Sequence, residues 1–202
     1  NMNFLAHLAL SGNVPEVMVG NFIGDFVKGK AYEQYTPLIQ EGILMHRAID
    51  SFTDRHPATK NCSQLIKTVY GRYSGVIVDV FFDHFLAANW STLYPDTSLK
   101  TFVSSVHRIM IRHYFQLPGE VKGFLPFLIN SRRLENYQYR WGIERALEIM
   151  VRHTSLPSQV PYAMQQLENH YDDFYGNFVW LYNDLQTFLS TREMMVKESV
   201  SP

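Results

Sequence analysis

Large apolar side chains recur every three or four residues across positions 161–189 of this 202-residue chain. This spacing places them on one face of a helix and predicts a long helix that packs along a partner helix. The residues of this face are Met164, Leu167, Tyr171, Phe174, Phe178, Leu181, Leu185 and Phe188. One core of this size can use the whole face, so we expect it to pack within the chain and favour a monomer over a dimer.

The remaining periodic segments are also helical in pattern. They span residues 3–10, 15–28, 37–53, 57–70, 76–90, 98–117, 120–130 and 141–153. Residues 76–82 have the composition of a buried strand, but no second strand pattern is present to pair with them. We therefore predict an all-α fold, a single-domain helical bundle over residues 1–202 in which 96–190 supports the first ninety residues.

Charge and cysteine content disfavour several classes of protein. The 18 Lys and Arg against 19 Asp and Glu give a net charge of −1, so no basic surplus favours a nucleic-acid partner. The chain has no apolar run of the length of a membrane span, and its first residues lack the basic region of a signal peptide. Cys62 is the only cysteine, which excludes an intrachain disulfide. We expect a cytoplasmic protein.

The polar residues of greatest chemical interest lie on apolar faces of the predicted helices. His46 and Asp50 are four residues apart in the 37–53 helix and point in similar directions. Asp54 continues this spacing, although capping the next helix is an equal alternative for it. Buried carboxylates are rare unless they are paired or bind a metal, so His46 and Asp50 are candidate ligands.

Comparable residues occur in three other predicted helices. Asp79 and Asp83 are four residues apart on an apolar face, and His84 flanks that face. Asp25 and His7 also lie among apolar residues. Each alone has an ordinary structural explanation, such as an arginine partner for Asp79 or a satisfied core position for His7. Their combination indicates a metal or catalytic site.

Two glycines, Gly20 and Gly24, are four residues apart just before Asp25. Each glycine costs a helix about 1 kcal/mol relative to alanine. Such a cost indicates either close packing against a neighbouring helix or room for a ligand.

Oxygen and nitrogen ligands without thiolates suit Mn²⁺, Mg²⁺, Fe²⁺ or Zn²⁺. A cation of this kind polarises a phosphoryl oxygen and activates water, which indicates hydrolysis of a phosphate ester. Arg47 follows His46, and Lys28 and Lys30 follow Asp25, so these three cations are candidates to hold phosphate oxygens.

These residues stand in several short motifs whose order resembles that of the acyl carrier protein phosphodiesterase family. The motifs are Asn3-Phe4-Leu5-Ala6-His7-Leu8, Gly20-Asn21 with Asp25-Phe26-Val27 and Gly29, His46-Arg47 with Ile49-Asp50 and Thr53-Asp54, and Asp79 with Asp83-His84-Phe85-Leu86 and Trp90. The resemblance implies an all-helical, distantly HD-domain-like protein and a divalent cation, most commonly manganese. It also implies hydrolysis of the phosphodiester between phosphopantetheine and a serine of holo-acyl carrier protein. Asp83-His84 reverses the order of the HD signature, so the metal geometry of HD enzymes is not carried over.

The resemblance and the inward acids together assign a role to each candidate. The candidate metal ligands are Asp25, His46, Asp50, Asp83 and His84. The candidate catalytic residues are His7, as proton donor to the leaving serine, Arg47, for the phosphoryl charge, and Asp79. The candidate substrate-binding residues are Asn21, Lys28 and Trp90.

Acyl carrier proteins are acidic, so the resemblance also implies a basic rim around the site. Its candidates are Lys28, Lys30, Arg55, Lys60, Lys67 and Arg72. Aromatic residues that flank the candidate ligands are expected to wall a pocket for the pantetheine arm, namely Phe22, Phe26, Phe82, Phe85 and Trp90. Two alternatives stay open: an HD-like phosphohydrolase that acts on a nucleotide or other small phosphodiester, and a non-catalytic helical binding protein.

Overall fold

The structure, a computed structural model, describes residues 4–200, and over this range every regular element is a helix. The α-helices in chain order are α1 (Phe4–Leu10), α2 (Pro15–Ile23), α3 (Pro37–Arg55), α4 (Pro57–Gln64), α5 (Lys67–Tyr70), α6 (Ser74–Ala88), α7 (Trp90–Leu93), α8 (Leu99–Arg112), α9 (Gly119–Asn130), α10 (Arg133–Asn136), α11 (Arg140–His153), α12 (Val160–Asn169) and α13 (Tyr171–Val200). Short 3₁₀ turns lie at Gly24–Phe26, Gly29–Gln34, Gly71–Tyr73 and Tyr114–Gln116. The all-α class is confirmed. Asn3, where the first predicted helix and motif begin, lies outside the described residues.

The structure divides the long helix predicted at 161–189 into two. α12 ends at Asn169 and α13 begins at Tyr171, and His170 between them has the non-helical dihedral angles φ −122° and ψ 28°. The helix predicted at 57–70 likewise separates into α4 and α5. The helices of each pair bury apolar side chains on both sides of the boundary between them. The apolar spacing in the sequence therefore continues across the boundary and does not show where one helix ends and the next begins.

The predicted apolar face of the last helices packs within the chain. Phe174 and Phe178 of α13 lie against Phe81 and Phe82 of α6, with ring centroids 5.1 and 5.9 Å apart. α6 is buried along most of its length and is the central helix of the core. Among residues 4–200, none of the helices combines the length and hydropathy that a membrane span requires. The monomeric state stays a prediction.

α2 and α3 approach each other until their backbones touch. A Cβ atom added to Gly20 would lie 2.1 Å from the carbonyl oxygen of Ile39, and one added to Gly42 would lie 2.1 Å from that of Val17. Only glycine fits at these two positions, so the close packing predicted for Gly20 is confirmed. The contact places the end of α2 beside the middle of α3, where His46 lies.

Replacing Gly20 with Ala is expected to lower the free energy of unfolding by about 2 kcal/mol, because the added methyl group overlaps a backbone oxygen of α3. Urea unfolding followed by circular dichroism measures the change. Gly123→Ala on α9 is the matched control, since no atom lies within 4 Å of the added carbon. Its stability should be unchanged or slightly higher. Equal stability of the two variants would contradict the backbone contact.

Candidate metal centre

Two buried histidines from different helices stack on each other. His7 of α1 and His46 of α3 are 2% and 4% exposed. Their ring centroids are 3.8 Å apart at an interplanar angle of 11°. Asn21 of α2 orients both rings: the Nδ1–H of His7 donates to the Asn21 side-chain oxygen (2.8 Å), and the Nδ1–H of His46 donates to the Asn21 backbone oxygen (2.7 Å). The Nε2 atoms of both histidines are therefore available to interact with neighbouring carboxylates.

Two carboxylates face these Nε2 atoms. Asp50 bridges the histidines, with Oδ1 3.1 Å from His7 Nε2 and Oδ2 3.2 Å from His46 Nε2. Asp25 Oδ1 lies 3.1 Å from His46 Nε2. The spacing of His46 and Asp50 on one helix face thus brings them together as predicted from the sequence. We call His7, Asp25, His46 and Asp50 the His–Asp cluster.

Gly24 makes room for His46. α2 ends at Ile23, earlier than predicted, and the 3₁₀ turn at Gly24–Phe26 carries Asp25 to the cluster. A Cβ atom added to Gly24 would lie 2.3 Å from Cγ of His46. Both glycines therefore allow close packing against α3, Gly20 against its backbone and Gly24 against the imidazole of His46.

The cluster strongly perturbs its own ionisation. Burial opposes a charge on His46, but its hydrogen bonds with Asp25 and Asp50 outweigh this and raise its pKa to about 9. Burial lowers the pKa of His7, and the charge of His46 adds to the effect. Burial would raise the pKa of Asp50, but hydrogen bonds with His46 and His7 hold it well below its ordinary value. The pKa of Asp25 is also lowered, because the hydrogen bond with His46 outweighs the opposing effect of burial.

The contact between His7 and Asp50 fits a cation. With Nδ1–H donated to Asn21, a neutral His7 directs the lone pair of Nε2 at Asp50 Oδ1, only 3.1 Å away. Two facing lone pairs need a proton or a positive ion between them. Ligand atoms of His7, His46 and Asp50 all lie within 4.8 Å of one another. Atoms bound about 2.1 Å from one ion lie about 3–4 Å apart, so these residues fit a small divalent metal after minor adjustment.

Asp79 lies in α6 and is 8% exposed. No hydrogen bond or arginine ion pair of its carboxyl group is found among the described residues, so the proposed arginine partner is not seen there. Burial, and then the negative charges of Asp50, Asp54 and Asp83, raise its pKa well above the ordinary value. Asp79 is therefore a buried carboxyl group whose surroundings favour its protonated form, and it lies within the electrostatic range of the cluster.

Asp83 and His84 do not join the cluster. The Asp83 carboxylate accepts the backbone N–H groups of Leu5 (3.1 Å) and Ala6 (3.0 Å) and so caps the first turn of α1. His84 donates from Nδ1 to the backbone oxygen of Tyr137 (2.7 Å) and accepts at Nε2 from the hydroxyl of Tyr171 (2.8 Å). The ligand set expected from the sequence is corrected here, because helical spacing identifies a buried face but not the group opposite it.

The side chains of Arg47 and Trp90 both donate hydrogen bonds to backbone oxygens. The Nη2 group of Arg47 donates to the backbone oxygens of Val27 and Gly29, each at 2.9 Å, and thereby holds the segment after Asp25. The indole N–H of Trp90 donates to the backbone oxygen of Thr97 (3.0 Å), and its side chain is buried. Trp90 exposes little surface in this structure, and the substrate-binding role of Trp90 and the catalytic role of Arg47 stay predictions.

The other substrate-binding candidates differ in position. Asn21 is completely buried and holds His7 and His46 in place, a role that no local sequence signal indicated. Lys28 is exposed at the start of the 3₁₀ turn Gly29–Gln34. The aromatic wall expected for a pantetheine arm is corrected, since these rings lie in the core and only Phe26 is partly exposed. The buried rings are Phe22, Phe82, Phe85 and Trp90.

Part of the expected basic rim lines one cavity. This cavity has a volume of about 430 Å³, and Lys60, Lys67 and Arg72 contribute to its wall. Asp54 and Gly75 also line it, and they lie one helical turn from Asp50 and Asp79 along α3 and α6. We call it the basic cavity. The other rim candidates, Lys28, Lys30 and Arg55, are exposed but do not line it.

Comparison with known proteins identifies the family. The sequence model described as acyl carrier protein phosphodiesterase matches residues 2–185. The chain belongs to the acyl carrier protein phosphodiesterase family. The His–Asp cluster and Asp79 all lie inside the matched region, as does the Asp83 cap on α1. Sequence order in the first ninety residues thus identified the correct family.

Relatives that carry the name acyl carrier protein phosphodiesterase cover nearly the whole chain. The protein of Photorhabdus laumondii subsp. laumondii is 33% identical over 181 residues, which are 90% of this chain and 91% of the relative. That of Yersinia pestis is 32% identical over 181 residues, or 90% and 94% of the two chains. That of Pectobacterium atrosepticum is 32% identical over 194 residues, or 96% and 100%. No solved structure matches significantly, so the HD-like relationship stays a prediction.

Proposed function

We propose that this protein hydrolyses the phosphodiester bond between 4′-phosphopantetheine and a serine of holo-acyl carrier protein. The products are apo-acyl carrier protein and 4′-phosphopantetheine. The observation that carries this proposal is the His–Asp cluster, two stacked imidazoles bridged by one carboxylate, in a chain of the acyl carrier protein phosphodiesterase family.

His7, His46 and Asp50 would hold a divalent metal ion, with Asp25 as a further ligand. We propose Mn²⁺, with Mg²⁺ and Fe²⁺ as alternatives, because oxygen and imidazole donors suit these ions. When bound, such an ion supplies polarisation of a phosphoryl oxygen and a lower pKa for bound water. Asn21 contributes by keeping the Nε2 atoms of both imidazoles directed at the ion.

The remaining chemistry falls to the side chains. Water attacks phosphorus and releases a proton to the solvent, the bond between phosphorus and the serine oxygen breaks, and the serine oxygen takes up a proton from a side chain, which the solvent then restores. Asp79 is our candidate donor of that proton, since it is buried, and since its burial and the charge of Asp50 raise its pKa and so favour the protonated form. His7, the donor expected from the sequence, is better placed as a ligand because its Nε2 atom faces Asp50.

The basic cavity is our candidate docking point for the acidic carrier protein. Three cations line it next to the cluster, and electrostatic complementarity of this kind speeds protein association. Cys62, the only cysteine, is buried and forms no disulfide, which suits a reducing compartment, and we propose a cytoplasmic location.

Reversing the charge of Lys60 and Lys67 together, by substitution with Glu, is expected to raise KM for holo-acyl carrier protein at least about tenfold with little change in kcat. Steady-state kinetics at low salt measure both constants. The control is Lys100→Glu, an exposed change on α8 outside the cavity. An unchanged KM, or a KM indifferent to ionic strength, would contradict docking at this cavity.

Gel mobility of acyl carrier protein tests the proposed function directly. Purified protein with Mn²⁺ should convert the holo form to the apo form and release phosphopantetheine. A nucleotide or small phosphodiester offered in competition tests the HD-like alternative, which predicts faster turnover of the small substrate. Absence of turnover together with absence of bound metal would favour the non-catalytic binding protein.

A further inference from the structure

A second cavity lies on helices that contribute nothing to the His–Asp cluster. It opens between the end of α9, α10 and the first turns of α11 and has a volume of about 350 Å³. This is within the range of about 300–1,000 Å³ typical of small-molecule sites. Its wall includes Phe127, Arg133, Asn136, Trp141 and Arg145. We call it the arginine cavity.

Close backbone packing fixes the shape of this cavity. A Cβ atom added to Gly142 would lie 1.9 Å from the carbonyl oxygen of Asn136, so α11 rests directly on the end of α10. Trp141, Arg145 and Ile149 follow at intervals of four residues on one face of α11 and all line the cavity. The wall is thus built from regular helices rather than from a mobile loop.

Two arginines, Arg133 and Arg145, contribute to the wall of the cavity. Nη2 of Arg133 is buried and has no hydrogen-bond partner among the described residues, while its Nε–H donates to the Tyr137 hydroxyl (3.0 Å). Among the described residues, neither Arg133 nor Arg145 forms an ion pair with an acidic side chain. Nearby Arg140 does, with Nη1 3.8 Å from Oε1 of Glu168. Arg133 is partly exposed and Arg145 is exposed, so the cavity wall carries two guanidinium groups without an acidic partner, and an oxyanion supplies acceptors in the geometry that such groups require.

Aromatic side chains stand at the edge of the same cavity. Trp141 is 57% exposed and Phe127 is 48% exposed, which is unusual for side chains of this size. Tyr139 stacks on the Trp141 indole, with ring centroids 5.5 Å apart and an interplanar angle of 10°. The stacking holds the indole in one orientation while it lines the cavity, so it offers a fixed flat surface to a ligand ring.

We propose that the arginine cavity binds a small organic oxyanion attached to a flat ring. The phosphate or carboxylate group lies on the guanidinium groups of Arg133 and Arg145, and the ring lies against Trp141. The site is separate from the proposed hydrolysis, because none of its residues belongs to the His–Asp cluster or to the basic cavity.

Isothermal titration calorimetry of the full-length protein in the presence of a metal chelator tests this proposal. The chelator removes metal ions, so binding that depends on a metal does not contribute to the measured heat. AMP and 4-hydroxybenzoate are the two probes, one for a phosphate and one for a carboxylate. We expect at least one of them to bind with a Kd below about 1 mM. Adenosine, which lacks the charge, and inorganic phosphate, which lacks the ring, should each bind at least about tenfold more weakly.

Variants locate the binding. Arg145→Met should weaken the bound probe about tenfold, and Arg133→Lys should do so too, because lysine lacks the planar fork of donors. Arg152→Met, an exposed change on the same helix outside the cavity, should leave the Kd unchanged. The proposal is overturned if neither probe binds, or if a probe binds equally well to the folded Arg145→Met and Arg133→Lys proteins. Holo-acyl carrier protein hydrolysis is measured separately, so either proposal can fail alone.

Discussion

Replacing Asp50 with Asn is expected to slow the hydrolysis of holo-acyl carrier protein by at least about 10³-fold while the protein stays folded. The two oxygens of Asp50 contact Nε2 of His7 and Nε2 of His46, so this carboxylate bridges the cluster. Asn has one oxygen and no charge, and its NH₂ group would point at one of the imidazoles. If the cluster holds a metal ion as we propose, the variant loses both a ligand and a negative charge beside the ion. Asp50 is partly exposed, so water can replace the lost contacts without unfolding the chain.

Two measurements distinguish this effect from a general loss of structure. Initial rates of holo-to-apo conversion give the loss of activity, and titration with Mn²⁺ in the absence of substrate gives the metal affinity, which should fall in parallel. Asp54→Asn is the matched control, because Asp54 lies one turn further along α3 and is exposed. It should bind Mn²⁺ normally. If Asp50→Asn kept both its rate and its Mn²⁺ affinity within about threefold of the original protein, the metal centre would be wrongly placed.

Replacing Gly24 with Ala is expected to reduce turnover by about 10²-fold without touching any group that takes part in the chemistry. The added Cβ atom would lie 2.3 Å from Cγ of His46, so the imidazole must move away from Asp25 and Asp50. Gly24 has φ −53° and ψ −36°, which alanine adopts without strain, so the effect of the variant arises from the overlap with His46 and not from the conformation of residue 24.

The matched control for this variant is Gly176→Ala on α13, where no atom lies within 4 Å of the added carbon. Gly24→Ala should unfold at a lower urea concentration than Gly176→Ala, because the added carbon overlaps buried His46, so both proteins are compared where circular dichroism shows them folded; there only Gly24→Ala should lose turnover and Mn²⁺ affinity. Full activity of Gly24→Ala would show that the ring can shift without consequence, which contradicts a ligand role for His46.

The fold class followed from the sequence because each helix buries one face, and burial leaves a period of three to four residues. The same period hid the corner at His170, where two helices meet without a glycine or proline to mark it. Helix directions depend on contacts between distant segments, such as that of Gly20 with Ile39, and periodicity carries no information about them.

The site was only partly predictable for the same reason. His46 and Asp50 share one helix, so their spacing alone was enough to bring them together. His7 and Asp25 reach them through tertiary packing, for which their apolar surroundings and the order of the family motifs were the signals. Asp83 has the same spacing to Asp79 but serves a helix cap 77 and 78 residues away, a function that no local pattern reveals.

The Asp83 cap also determines when the metal centre can form. α1 has only seven residues, and an isolated helix of that length is not stable in water. Its first turn is held by a carboxylate of α6, so His7 reaches its place only after α6 is folded beneath it. A chain in which α1 has not packed on α6 therefore lacks His7, one of the proposed ligands, so the proposed metal centre depends on a contact between the two ends of the first ninety residues.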